Sequence, residues 1–97
     1  MPNARELIPD AADNVSLAEM HIHNSAPARS DGDRRTLHLA QVLLGKAVRV
    51  YELLNSRARD KRKYDDKLLQ IEGLQERADR NMRMYDEQGA YVPFAMA

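Results

Sequence analysis

His21-Ile22-His23 sets two imidazoles one residue apart, with Asp13 and Glu19 close enough in sequence to join them at a zinc or nickel ion. In an extended segment the two rings would share one face, because side chains alternate along a strand. The pattern falls short of a site. A zinc centre needs three or four ligands in fixed geometry, with further groups to orient them. His38 is remote and no HExxH spacing occurs. The expectation is two solvated histidines, with no metal and no cofactor.

Other chemistry is no better supported. There is no cysteine, and none of Ser16, Ser25, Ser30 or Ser56 stands in a GxSxG motif. The paired acids Asp65-Asp66 and Asp86-Glu87 fall in helical sequence, where adjacent residues point apart. Gly45-Lys46 lacks the glycine-containing loop that cradles a phosphate. No catalytic residue is assigned, and the chain is expected not to be an enzyme. One cluster does carry binding chemistry. Arg57, Arg59, Lys61, Arg62 and Lys63 place five cations in seven residues, enough to meet several phosphates of a nucleic acid.

Composition limits what can position such groups. Ninety-seven residues allow one small domain, and Leu, Ile, Val and Phe number only 20. A chain of this kind buries little surface when folded alone. Its net charge is zero but segregated. Residues 1–33 carry 2 basic and 6 acidic side chains, and residues 34–63 carry 9 basic and 2 acidic. A basic middle between acidic ends suits antiparallel, head-to-tail or hetero-association. The first residues show no signal peptide, and the apolar stretch Leu39 to Leu54 is broken by Lys46, Arg49 and Glu52, so no membrane span is expected.

Residues 1–30 read as an irregular arm, flexible or bound to a partner and punctuated by Pro2, Pro9 and Pro27, with one or two helical turns near Asp13. Between Pro27 and Pro93 there is no proline, and apolar residues recur at helical spacing. The fold class is therefore all-α: one long helix, or an antiparallel helical hairpin, over about 34–88 within a helical or coiled-coil region 31–89. Ser30 and Asp33 have the spacing of a capping box at its start, and Gly89 followed by Pro93 marks the expected stop. Residues 90–97 form an uncharged apolar tail, expected to dock through Phe94.

Two seams run through the helical region. Leu37, Ala40, Leu44, Ala47, Tyr51, Leu54 and Ala58 form the first; Tyr64, Leu68, Ile71, Gln75, Ala78, Met82 and Tyr85 form the second. Both alternate steps of three and four, as a coiled coil does. The six-residue step from Ala58 to Tyr64 breaks phase, by a continuous helix out of register or by a turn. No Gly or Pro marks a turn there, which favours continuity. So much of the first half is apolar, Val48 included, that it needs neighbours on more than one side.

The expected function is non-enzymatic. The chain reads as a helical association subunit, a multi-copy structural component of a virion, secretion apparatus or similar assembly, cytoplasmic or within that assembly. Its partner is a protein, foremost another copy of itself. The expected interface is Leu37, Leu44, Val48, Tyr51, Leu54, Tyr64, Leu68, Ile71, Met82, Tyr85 and Phe94. The alternatives are a nucleic-acid-binding helical dimer that uses residues 57–63, and a small inhibitor or adaptor for a different protein.

Overall fold

A computed structural model of the chain describes the backbone of residues 4–96 and the side chains of residues 5–88. A single 3-10 turn, Ala4–Leu7, leads into α1 (Ile8–Ser25), followed by α2 (Asp31–Arg57) and α3 (Asp65–Met96). No strand occurs among the described residues. The molecule is rod-shaped, 60 × 20 × 19 Å. α2 lies in the middle, with α1 and α3 each packed along it, while α1 and α3 touch each other little.

α1 corrects the reading of residues 1–30 as an irregular arm. Eighteen of them are one helix, and Pro9 sits in its first turn, where the missing N–H has no helical partner to lose. Ala11, Val15, Ala18, Ile22 and Ser25 are buried along it in steps of four and three. Three of these five are alanine or serine, so the stripe lacks the bulk by which a buried face is usually seen in sequence. The short connection through residues 26–30, with a cis Ala26–Pro27 bond, turns the chain back into α2.

α2 begins at the predicted cap. Ser30 Oγ accepts a hydrogen bond from the Asp33 N–H at 3.1 Å, and Asp33 Oδ2 accepts from the Arg29 N–H at 2.9 Å. The seam Leu37, Ala40, Leu44, Ala47, Tyr51 and Leu54 is buried as its spacing predicted, and Ala58 at its end is half-buried. Leu37, Leu44, Ile22 and Ile71 are the largest fully buried side chains, each stabilising the fold by about 1.5–3 kcal/mol through burial.

The phase break after Ala58 is a turn, so α2 and α3 are neither one continuous helix nor the whole fold. They form an antiparallel pair, to which α1 adds a third helix. The turn is made without Gly or Pro. Asn55, buried at the end of α2, accepts from the Tyr64 N–H through Oδ1 at 2.7 Å and donates from Nδ2 to Asp65 Oδ1 at 3.0 Å. Asp60 Oδ1 accepts from the Arg62 N–H at 2.9 Å, an Asx turn. Tyr51 and Tyr64 then meet across the pair with ring centroids 5.7 Å apart.

The register holds to the far end. Arg34 pairs with Asp86 (2.6 and 2.8 Å), and Asn55 pairs with Asp65. From the first pair to the second, numbering rises by 21 on α2 (34 to 55) and falls by 21 on α3 (86 to 65), three heptads without a slip. Between them Gln41 Nε2 donates to the Gln75 carbonyl at 3.4 Å. Near the far end the Tyr85 hydroxyl donates to Asp31 Oδ1. α3 continues to Met96, through Gly89 and Pro93, where a stop was expected. A glycine permits a helix to end without enforcing it, and a proline near the end forfeits a single backbone hydrogen bond. The tail's side chains, Phe94 included, lie outside the described residues.

Candidate protein-interaction surface

Most residues expected at a subunit interface are occupied within the single chain. Leu37, Leu44, Tyr51, Leu54, Ile71 and Met82 are buried, and Val48, Tyr64, Leu68 and Tyr85 are half-buried against them. α2 does have neighbours on two sides, but they are its own α1 and α3. Burial, and then Tyr64, hold the Tyr51 hydroxyl above its usual pKa range. No buried side-chain nitrogen or oxygen among the described residues lacks a hydrogen bond.

What remains open lies on the outer side of α2. Arg35, Leu39, Val42, Lys46, Arg49 and Leu53 are all exposed and follow steps of four and three, a second heptad stripe on the same helix. Leu39 is 47% exposed, Val42 43% and Leu53 36%. Arg35 Nε reaches the Asp31 carbonyl at 3.4 Å. The stripe contains three cations and no acid. α1 carries its counterpart. Glu6, just ahead of α1, is followed by Asp10, Asp13, Leu17, Met20 and Asn24, all exposed in the same alternating steps, with no cation among them. Leu17 is 39% exposed and Met20 52%. Leu69 and Met84, on α3, are single exposed side chains far apart in the helix, which is ordinary for a surface.

The other candidate groups are placed as follows. Arg57, Arg59, Lys61, Arg62 and Lys63 are all exposed, and they crowd around the α2–α3 turn at one end of the rod rather than spreading along a helix. The Lys61 ammonium donates to the Ser56 carbonyl, and Lys63 Nζ sits 5.6 Å from the centre of the Tyr64 ring. In the helix, His21 and His23 point about 200° apart on either side of the buried Ile22, so they share no face. No cluster of potential metal ligands occurs among the described residues. An open groove of about 350 Å³ is lined by Ser16, Glu19, Met20 and His23 of α1 and Arg77 of α3. Its shallow, mixed lining aims no set of groups at one point.

The buried seams were visible in the sequence. The outer stripe was not, because Leu39, Val42 and Leu53 were counted with a generally apolar helix. The signal that separates them is the company they keep: between Arg35 and Leu53 every other member of their heptad rows is basic.

Comparison with known proteins finds no match: no family model, no curated protein and no solved structure is significantly similar to the chain. No described helix is long and apolar enough to cross a membrane.

Proposed function

We propose that this chain is a non-enzymatic association module, a helical subunit present in several copies in a larger structural assembly. One observation carries the reading: the central helix of an otherwise satisfied fold presents Leu39, Val42 and Leu53 to solvent on one three-four stripe, interleaved with Arg35, Lys46 and Arg49. Exposed apolar side chains on such a stripe, with charges at its other positions, are a surface by which helices pair. The rod shape supports the same reading.

Light scattering during size-exclusion chromatography tests it. The wild type is expected to run as a discrete oligomer. A Leu39→Asp/Leu53→Asp variant is expected to run at the mass of one chain with its far-ultraviolet circular dichroism unchanged, since both side chains are already exposed. A wild type that is monomeric at every concentration, or a variant that keeps the oligomeric mass, sinks the proposal.

A second reading has its own observation. Five exposed cations in a single turn make one end of the rod strongly positive, a footprint that suits a phosphate backbone. It requires RNA or DNA binding that weakens steeply with salt and disappears when Arg57, Arg59, Lys61, Arg62 and Lys63 become Gln. Unchanged affinity in that variant excludes it.

A further inference from the structure

We infer that the partner of the α2 outer stripe is the α1 outer stripe of a second copy of this chain, laid antiparallel. The inference rests on the association reading above and supplies its occupant. Three observations bear on it: the charge of the two stripes, their spacing and their accessibility.

The charges are opposite and complete. The α2 stripe has Arg35, Lys46 and Arg49 with no acid, and the stripe that runs from Glu6 along α1 has Glu6, Asp10 and Asp13 with no base among its members. Setting α2 on a second α2 would bring together two stripes of three cations with no acid, and α1 on a second α1 two stripes of three acids with no base, which costs free energy once water is excluded. Only the mixed pairing is complementary.

The spacing then selects one direction. With Leu17 of one copy against Val42 of the other, an antiparallel alignment sets Met20 against Leu39, Asp13 against Lys46, Asp10 against Arg49 and Asn24 against Arg35. Five of the six layers match, because both stripes alternate three and four; the sixth sets Glu6 against Leu53, an acid beside an apolar side chain. The two apolar layers are neighbours at the centre, and the two acid–base layers lie together beyond them. A parallel alignment that keeps the apolar layers, Leu17 on Leu39 and Met20 on Val42, places Asp13 beside Arg35. It leaves Lys46 and Arg49 with no acid. Charge pairing therefore fixes the antiparallel direction as well as the partner.

Accessibility is satisfied on both sides. The five α1 members of the pairing and their α2 partners are all exposed in the single chain, so pairing requires no helix to leave the core. Each copy carries both halves. The two stripes lie on opposite faces of the molecule, each turned away from the α1–α2 contact, so a copy joins one neighbour through α2 and another through α1, side by side in series.

Charge reversal provides the test, with mass from light scattering as the readout and circular dichroism as the control for folding. The wild type should run at two or more times 11.1 kDa. Lys46→Glu/Arg49→Glu and, separately, Asp10→Lys/Asp13→Lys should each run as single chains with unchanged helicity. Mixing the two variants should restore the wild-type mass, since each then offers the charge that the other lacks. If the wild type is oligomeric and either reversal leaves its mass unaltered, or if the mixture stays monomeric, the pairing is wrong although association stands. If the wild type is itself monomeric, both the pairing and the association reading fall.

Discussion

The two seams that hold α2 are built on different rules. Against α1 it meets Ala11, Val15, Ala18 and Ile22, a row in which every second member is alanine. Against α3 it meets larger side chains and is flanked by polar pairs: Arg34–Asp86 and Tyr85–Asp31 towards one end, Gln41–Gln75 midway, and Asn55 bonded to Tyr64 and Asp65 at the other. Small residues let two helices approach closely but say little about which turn meets which. Polar pairs at fixed intervals penalise any slip, because sliding one heptad would leave partners unmatched. One seam is therefore specified by shape, the other by pairing.

Leu44→Asp strikes both seams at once and should have the largest effect. A carboxylate at a fully buried position costs several kcal/mol, comparable with the whole stability of a domain this small. The variant should lose most of its helical circular dichroism, and retention of a folded, wild-type spectrum would mean that Leu44 is not at the centre of the core. Ala18→Leu separates the seams. It overfills the alanine row and should cost about 1–3 kcal/mol in urea denaturation. Its cost would fall near zero if α1 did not approach α2 closely.

Asn55→Ala attacks pairing instead. It removes the cap on the turn and leaves the Tyr64 N–H without its acceptor, for a loss of about 1–2 kcal/mol. Gly73→Ala should have a smaller effect and of opposite sign. Nothing lies within 4 Å of the position its Cβ would take, so the added helix propensity should stabilise by about 0.5–1 kcal/mol. The same open space excludes a close helix contact as the reason for that glycine.

Asp86→Asn should have the smallest effect, and it is read through pH. The hydrogen bond from Arg34 holds the Asp86 carboxyl below its ordinary range. A folded-state value below the unfolded one contributes stability at pH above the unfolded carboxylate range, and that contribution is lost as pH falls through the folded value. Wild type and variant should therefore differ slightly in melting temperature at neutral pH and converge in acid. Both side chains are about half exposed, so the gap should also narrow with salt.

Period was the legible part of the sequence, and bulk and punctuation misled. Both seams of α2 and α3 stand where three-four spacing put them, down to the polar member Gln75. α1 was lost because a stripe of Ala11, Val15, Ala18, Ile22 and Ser25 is weakly apolar even though it is fully buried, and because Pro9 reads as a break when it is a start. The turn at 58–64 stood open beside an unbroken helix for a related reason. Asp60 and Asn55 supply by side-chain hydrogen bonds the chain reversal that Gly or Pro usually signals. The outer stripe needed the structure to divide one apolar helix into an inside and an outside.

The sparse contact between α1 and α3 has a kinetic consequence. Because nearly everything α1 touches belongs to α2, α1 can detach as a unit while the α2–α3 pair stays zipped. Amide hydrogen exchange should resolve this as tiers, with α1 exchanging ahead of α2 and the middle of α3. Matching rates in all three helices would mean that the rod opens only as a whole. The tiers would also place the acidic stripe on the first element to come loose, so under the pairing proposed above local fraying of one helix would set how long two copies remain joined.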